Sequence, residues 1–385
     1  MSAGSGYTLL VLAGLLMAPG PAGALASVPD STAGEATAEY FAPAAGQLAR
    51  LHLAPYGDLR ARGDGVRHRP GATTDLRRTQ ATLRGGLAWA RAGIPLRWET
   101  GARACLGTDR HRDAWAPFQN EATDTLEADR LGLEVWSPRR DALLLGKMVM
   151  PLRLTEMLWD GDLRPVGAGV RSPLAWSGLP DLRLAAGFFR RGRLSGPDGQ
   201  VAAAQLLAGV AQEHRLSAEV LFAWLDFGGL KTLARDGIGR QNRTVTVAGT
   251  PAYAAAFRVA DLQVGVRTSV GRVPLSLLVD LARNTTTGKD RDGLRARLAA
   301  GGPSAPAGAE VAWVYQRVER EVVPGAFNSD DWWFHTRMRG NLLSVEVGTG
   351  SAVRLRAQGF LERRDDVALA TRRLTVELRA RIPER

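Results

Sequence analysis

The sequence predicts an all-β protein, a closed antiparallel transmembrane β-barrel of about 16 strands that occupies residues 58–385. Over this region the chain divides into short segments in which apolar and polar residues alternate, and long and short connections follow one another in turn. An outer-membrane barrel has tight turns at one rim and longer loops at the other. Nothing after the N-terminal region reaches the run of about 18 apolar residues that a transmembrane helix needs, so the sequence predicts that strands cross the membrane.

The N-terminal 26 residues have the pattern of a signal peptide. Residues 7–18 form an apolar run, and Ala24-Leu25-Ala26 is a small-x-small cleavage site before Ser27. Residues 27–57 are rich in Ala, Gly, Pro and Glu, a composition typical of flexible segments, and are predicted to be a periplasmic lead-in to the barrel. The prediction is therefore an exported protein with its barrel in the outer membrane.

The connections set the expected topology. The long ones are predicted near 67–73, 109–125, 155–161, 190–199, 228–252, 285–292, 321–336 and 363–370. The short ones are predicted near 92–93, 137–140, 177–180, 213–214, 270–272, 300–309 and 349–351. An even strand number would place both ends of the barrel domain on the short-turn side.

Side chains alternate between the two faces of a strand, so each segment can be sorted into a lipid face and a lumen face. In residues 343–347, for example, Leu343 and Val345 oppose Ser344 and Glu346. A soluble sheet would show the same alternation, but closure into a barrel removes the unpaired edges that so many strands would otherwise expose. Five tryptophans near predicted strand ends would form an aromatic girdle: Trp89, Trp98, Trp136, Trp159 and Trp176.

Several local motifs, in this order and spacing, resemble the porin family of Gram-negative outer membranes. The motifs are Asp58-Leu59-Arg60-Ala61-Arg62, Leu145-Gly146-Lys147-Met148, Leu158-Trp159-Asp160-Gly161-Asp162, Gly167-Ala168-Gly169, Trp313-Val314-Tyr315-Gln316-Arg317-Val318-Glu319 and Ala326-Phe327-Asn328-Ser329-Asp330-Asp331. The resemblance covers nearly the whole chain after the signal peptide, most loosely over residues 190–300. It implies an outer-membrane pore for the passive diffusion of small hydrophilic solutes.

The sorting of faces predicts a lumen with more cations than anions. The arginines assigned to the lumen are Arg60, Arg62, Arg84, Arg97, Arg183, Arg295, Arg297, Arg354, Arg356 and Arg379, and the acids with them are Glu99, Asp261, Asp280, Glu346 and Glu377. Such arginines would favour anions by Coulomb attraction. The alternative is that they pair with acids across the strands and only hydrate the wall.

A loop that folds into the lumen would narrow the pore, as the loop after the fifth strand commonly does in porins. The candidate constriction residues are Glu156 and Asp160 in the connection at 155–161, and Asp330 and Asp331 in the connection at 321–336. The connection at 155–161 is so short that it could at most pinch the wall locally. For Asp330-Asp331, a solvated external loop with a divalent cation nearby is the competing interpretation.

Other functions find less support in the sequence. The net charge of +11 comes from 50 Lys and Arg that are scattered along the chain, which does not favour a nucleic-acid partner. Cys105 is the only cysteine, and no HExxH or P-loop motif occurs, so no cofactor or metal is predicted. Catalysis would have to rest on His335 near Asp330-Asp331, and no enzyme is predicted. The expected partners are the lipid bilayer and small hydrophilic solutes, a homotrimer is left open, and an exported soluble β-rich binding protein is the alternative function.

Overall fold

The computed structural model describes most of the chain from residue 52 onward. The described ranges are 52–70, 75–90, 94–107, 125–138, 140–176, 179–192, 199–212, 216–235, 241–302, 308–349 and 352–382. The predicted signal peptide, most of the lead-in and the connections near 92–93, 109–125 and 213–214 lie outside these residues.

Eighteen strands and one short helix make up the regular structure of these ranges. The strands are β1 (His52–Arg67), β2 (Leu76–Ala90), β3 (Leu96–Gly107), β4 (Thr125–Trp136), β5 (Ala142–Lys147), β6 (Val166–Trp176), β7 (Leu179–Arg190), β8 (Gln200–Gln212), β9 (Leu216–Gly228), β10 (Thr244–Val247), β11 (Thr250–Tyr253), β12 (Phe257–Val270), β13 (Val273–Asn284), β14 (Asp292–Gly301), β15 (Ala309–Val318), β16 (Met338–Thr349), β17 (Val353–Arg364) and β18 (Thr371–Ile382). The helix α1 spans Lys231–Arg235.

All strands except β10 and β11 form a closed antiparallel barrel of 16 strands. Each strand pairs with its neighbour along the chain, and β18 pairs with β1, for example Arg60 with Arg379, to close the barrel. The connection from β9 to β12 carries α1 and the separate hairpin of β10 and β11. The prediction of a closed antiparallel barrel of about 16 strands is confirmed.

Turn chemistry explains one of the tight connections. β12 and β13 are joined through Gly271 and Arg272, with Val270 paired to Val273 across the turn. Gly271 has a φ of 61°, in the left-handed region that glycine adopts without steric cost. Two-residue hairpin turns of this kind fix the register of the strands that they join.

The outward face of the barrel is apolar around its middle. Leu83, Leu343 and Leu374 have exposed fractions of 56%, 56% and 59%, whereas their chain neighbours Arg84, Ser344 and Thr375 are buried. A soluble protein rarely leaves an apolar surface of this extent in water. The exposed belt therefore excludes the soluble binding protein that the sequence had left as an alternative, and it fits contact with lipid chains.

The described residues include no helix that is long and apolar enough to cross a membrane.

The buried apolar core lies inside the barrel, where residues of two long connections meet side chains of the wall. The connection from β5 to β6, residues 148–165, contributes Met157, Leu158 and Trp159, and the connection from β15 to β16, residues 319–337, contributes Phe327 and Trp332. We call these segments the first inward loop and the second inward loop. Both segments therefore fold into the lumen.

Two sequence predictions need correction, and one feature of the fold was not predicted. β1 begins at His52, so the barrel starts before residue 58. β5 ends at Lys147, so the connection predicted at 155–161 is residues 148–165; its apolar first half resembles a strand because it packs inside the barrel. The helix and hairpin in the connection from β9 to β12 were not predicted.

The predicted aromatic girdle is only partly present. Trp89 and Trp98 pair across β2 and β3, and Trp98 is exposed on the outer face. Trp136 instead donates a hydrogen bond from Nε1 to Glu134, a buried acid, at 3.1 Å. Trp159 lies buried in the first inward loop, and the side chain of Trp176 is outside the described residues.

Candidate pore constriction

Arginines from four adjacent strands, β17, β18, β1 and β2, form one side of the lumen. Arg354 of β17 lies directly opposite Arg379 of β18, which lies opposite Arg60 of β1. Two positions further along each of these strands, on the same face, Arg356 lies opposite Glu377, which lies opposite Arg62. We call Arg60, Arg62, Arg84, Arg354, Arg356 and Arg379 the arginine wall. Arg60 and Arg62 on β1, and Arg354 and Arg356 on β17, share a face because residues two positions apart on a β-strand point to the same side.

One carboxylate is shared by three members of the arginine wall. Glu377 accepts a hydrogen bond from Nε of Arg60, one from Nη2 of Arg356 at 2.8 Å, and lies 3.2 Å from Nη2 of Arg379. All four side chains are mostly shielded from solvent. Each of the three arginines also has a second carboxylate within ion-pair distance, which is Asp162 for Arg60, Glu346 for Arg356 and Asp58 for Arg379.

The first inward loop crosses the lumen and contacts several strands. Arg153 donates from its backbone N to Oε1 of Gln205 at 2.8 Å and forms an ion pair with Glu219. Further along, Glu156 lies 2.9 Å from Nη2 of Arg295 on β14. Asp162 then reaches the arginine wall. The connection that the sequence predicted to narrow the lumen only locally is thus a loop anchored on β8, β9, β14 and β1.

Asp162 connects the first inward loop to the wall. Its two carboxylate oxygens lie 2.6 Å from Nη1 of Arg60 and 2.8 Å from Nη2 of Arg84. Burial alone would raise the pKa of Asp162, but the charges of these two guanidinium groups outweigh it and hold the pKa well below its usual range. Asp162 is therefore ionised at neutral pH. Its neighbour Asp160 accepts the backbone N–H of Asp162 at 2.8 Å and shapes the turn that presents it.

The second inward loop brings a further carboxylate to the same wall. Asp331 lies 2.6 Å from Nη1 of Arg62 and 4.0 Å from Nη2 of Arg60. Burial would raise the pKa of Asp331, but the charges of Arg62 and Arg60 lower it overall. Arg373 donates to the backbone oxygens of Asp330 and Asp331 at 2.8 and 2.5 Å. The alternative of a solvated external loop for Asp330-Asp331 is therefore wrong.

The two inward loops hold each other in place. The backbone N of Asp160 donates to the oxygen of Phe327 at 2.7 Å, and that of Ser329 donates to the oxygen of Glu156 at 3.0 Å. The ring of Phe327 packs on Trp159 and on Phe227 of β9, at centroid distances of 5.6 and 4.9 Å. Such packing makes the loops one unit inside the barrel.

His335 belongs to this packed unit. It is buried, and its Nδ1 lies 2.9 Å from Oδ1 of Asn328, whose Nδ2 donates to the backbone oxygen of His335 at 2.6 Å. Its ring thus has a structural partner within the second inward loop.

Each arginine that the sequence assigned to the lumen has a carboxylate partner. Beyond the arginine wall, Arg97 lies 2.7 Å from Glu99, Arg183 lies 2.5 Å from Asp181, and Arg297 pairs with Glu310. At the wall, Arg354 lies 3.4 Å from Glu346. This arrangement matches the paired-wall alternative more closely than a surplus of free positive charge.

Several residues of the constriction were not assigned by sequence. Asp162 belongs to the motif Leu158-Trp159-Asp160-Gly161-Asp162, but the sequence assigned no role to it, to Asp129 or to Arg373. Asp129 is buried 3.3 Å from Nε of Arg84, and Arg373 lies 3.1 Å from Asp64. The only sequence signal for Asp162 is a second acid after a glycine turn, which does not reveal a partner on β1.

Comparison with proteins of known structure assigns the class of fold. A structure of Pseudomonas putida OprB matches with a TM-score of 0.57 and 11% identity, covering 86% of this chain and 94% of that one. A BenF-like porin from Pseudomonas fluorescens Pf-5 matches with a TM-score of 0.51 and 9% identity, covering 86% and 98%. The trimer form of OmpT, an outer membrane protein of Vibrio cholerae, matches with a TM-score of 0.50 and 11% identity, covering 86% and 100%.

The chain has the fold of the outer-membrane porins, with the inward loop after the fifth strand and the apolar outer belt described above. The predictions of an outer-membrane barrel and of a likeness to porins are confirmed at the level of the fold. No protein-family model matches the sequence. No curated protein matches it either.

Proposed function

We propose that this protein is an outer-membrane porin through which small hydrophilic solutes diffuse. The observation that carries the proposal is a closed barrel with an apolar belt outside, charged side chains inside and a loop after β5 anchored across the lumen. A wall of charged groups keeps a passage wet, and the loop limits the size of what passes. The mechanism needs no bound group and no covalent step.

The two inward loops support a narrow passage. They bury apolar side chains such as Met157 and Phe327 in the lumen and place Asp162 and Asp331 against the arginine wall. The remaining path therefore runs past ion pairs, where a solute exchanges contacts with water for contacts with guanidinium and carboxylate groups. Small polar solutes fit such a path better than large or apolar ones.

We also propose a modest preference for anions. Arg354 and Arg379 lie in one row with Arg60, while Glu377 is shared with Arg356. Among the strand residues around this row, three carboxylates stand against five guanidinium groups: Asp58, Glu346 and Glu377 against Arg60, Arg354, Arg356, Arg379 and Arg381. Anions would be concentrated there by Coulomb attraction. The acids of the inward loops reduce this excess, so the preference should be small.

Single-channel recording tests the proposal. The protein, purified from outer membranes, is inserted into a planar bilayer with a KCl gradient, and conductance steps and the reversal potential are measured. Discrete ohmic steps with a reversal potential of anionic sign would support both statements. Steps with a cationic sign would reject the anion preference alone. A membrane-inserted barrel without any steps would reject the porin.

A homotrimer is part of the proposal, supported by the trimer form in which one protein of similar fold, OmpT of Vibrio cholerae, is described. Mild cross-linking in intact outer membranes, followed by electrophoresis of unheated and heated samples, tests it. A ladder that ends at three copies supports the trimer, and a band at one copy alone opposes it.

A further inference from the structure

A band of arginines lies on the outside of the barrel, at the ends of six adjacent strands. Each member is exposed and lies at or near the long-loop end of its strand, from β15 through β18 to β1 and β2. We call it the outer arginine band: Arg67, Arg77, Arg317, Arg339, Arg363 and Arg372.

The alternation of the strands places these side chains on the lipid face. Arg339 is exposed between Met338 and Gly340, which are buried, and Arg372 is exposed between Thr371 and Arg373, which are buried. The next outward residue along β18 is Leu374, which belongs to the apolar belt, and on β16 the belt begins one outward position beyond Asn341, at Leu343. The band therefore lies between the apolar belt and the long-loop rim of the barrel.

Cross-strand register brings like charges face to face within the band. Arg317 lies directly opposite Arg339, and Arg339 lies directly opposite Arg363. Arg67 lies opposite Arg372 across the seam that closes the barrel. Directly opposed side chains on one face have Cβ atoms about 5 Å apart, and like charges so placed repel. The band is thus unfavourable unless an anion lies among its members.

The described part of the chain supplies few anions to the band. Glu319 lies 2.6 Å from Arg317, and Asp75 lies 3.3 Å from Arg67. Within the described residues, Arg77, Arg339 and Arg372 have no carboxylate at ion-pair distance. The remaining positive charge is therefore open to the surroundings of the barrel.

The opposite sector of the same rim differs. Arg258 on β12 faces Asp226 on β9 across the strands at 3.1 Å, and Arg283 on β13 faces Asp292 on β14 at 2.6 Å. Both pairs are exposed on the outer face, and each arginine has its own carboxylate. Unmatched charge is thus a property of one sector, which indicates a local partner rather than a general need for charge at the rim.

The geometry points to the outer arginine band as a docking surface for the phosphate groups of outer-leaflet lipids. The long-loop rim of such a barrel faces the outside of the cell, so lipids of the outer leaflet surround it. Guanidinium groups bind phosphate oxygens through two parallel hydrogen bonds, and phosphates between opposed arginines remove their repulsion. The lipid chains would lie on the apolar belt directly below.

Lipid binding to the purified barrel tests the inference. The outer-membrane-assembled protein is prepared in a neutral detergent, and binding of bis-phosphorylated lipid A is measured by native mass spectrometry. The same glycolipid without its phosphates is the matched probe. The variant R339Q/R363Q/R372Q removes three charges of the band, and the control R258Q/R283Q removes two charges from the other sector.

The wild-type protein should retain the phosphorylated lipid over the dephosphorylated one. The triple variant should bind it about 100-fold more weakly, because each arginine near a charged lipid surface contributes about fivefold to the affinity. The control variant should bind as the wild type does. Equal binding by the triple variant, or by the dephosphorylated lipid, would overturn the inference. Displacement of the lipid by millimolar inorganic phosphate would also overturn it, because the band would then be a site for free anions.

A charge-conserving variant guards against a failure of assembly. R339K/R363K/R372K keeps the charges and loses the paired hydrogen bonds of guanidinium. It should assemble and show an affinity between those of the wild type and the glutamine variant. A lysine variant that binds phosphorylated and dephosphorylated lipid equally well would reject the role of phosphate.

Discussion

The carboxylate of Asp162 lies 2.6 Å from Nη1 of Arg60, although 102 residues separate them in the chain. Through this contact the loop after β5 is fastened to the strand that closes the barrel. The same loop holds Arg295 of β14 through Glu156. The constriction is therefore a bridge across the lumen rather than a local bend of the wall.

Replacing Asp162 with Asn should widen the pore and strengthen its preference for anions. The variant D162N loses the charge that pairs with Arg60 and Arg84, so the loop is held less firmly and the wall becomes more positive. Single-channel recording should give larger conductance steps and a reversal potential shifted further in the anionic direction. The control D226N, whose carboxylate pairs with Arg258 at 3.1 Å on the outer face, should behave as the wild type does.

Replacing Glu377 with Gln should destabilise the barrel. The change leaves Arg60, Arg356 and Arg379 in the lumen without their shared charge, and breaking a buried ion pair costs about 3–5 kcal/mol. Urea unfolding of protein folded into lipid vesicles measures the loss. The control D226N removes an exposed pair with Arg258, which is worth about 1 kcal/mol or less. Equal losses in the two variants would contradict the shared role of Glu377.

Replacing Arg379 with Gln should weaken the selectivity of the pore. Arg379 lies between Arg354 and Arg60 in the row where positive charge is in excess. The reversal potential in a KCl gradient should move toward zero for R379Q. It should not move for R283Q, which removes an arginine from the outer face. A shift of equal size in both variants would show that total charge, and not the row, sets selectivity.

The ion pairs that hold the inward loops against the arginine wall should not change between neutral pH and about pH 4. Asp162 has a folded-state pKa well below that of a free aspartate, about 3.9. At every pH above the pKa of a free aspartate, its ion pairs therefore hold the first inward loop against the wall in full. They are lost only as the pH falls through the lowered folded-state pKa. Conductance recorded at decreasing pH should stay constant down to about pH 4 and rise below it. A rise that begins near neutral pH would rule out Asp162 and Asp331 as the controlling groups.

The sequence alone predicted a closed barrel of about 16 strands and sorted the residues of each strand between two faces. Alternation with a period of two is a local property, so Arg60, Arg97 and Arg356 could be assigned to the inner face without knowledge of their partners. The lipid belt follows from the same rule applied to the residues between them. Barrel closure followed because so many paired strands need their edges covered.

The tertiary structure decided what fills the lumen and how its charges balance. Residues 148–154 are apolar except for Arg153 and look like a strand in the sequence, but Met148, Met150, Leu152 and Leu154 pack inside the barrel as part of the first inward loop. Arg62 and Asp331 are 269 residues apart and meet only because the barrel closes and the second loop turns inward. Contacts between such distant segments depend on the path of the loops through space, which a period of two residues along a strand does not encode.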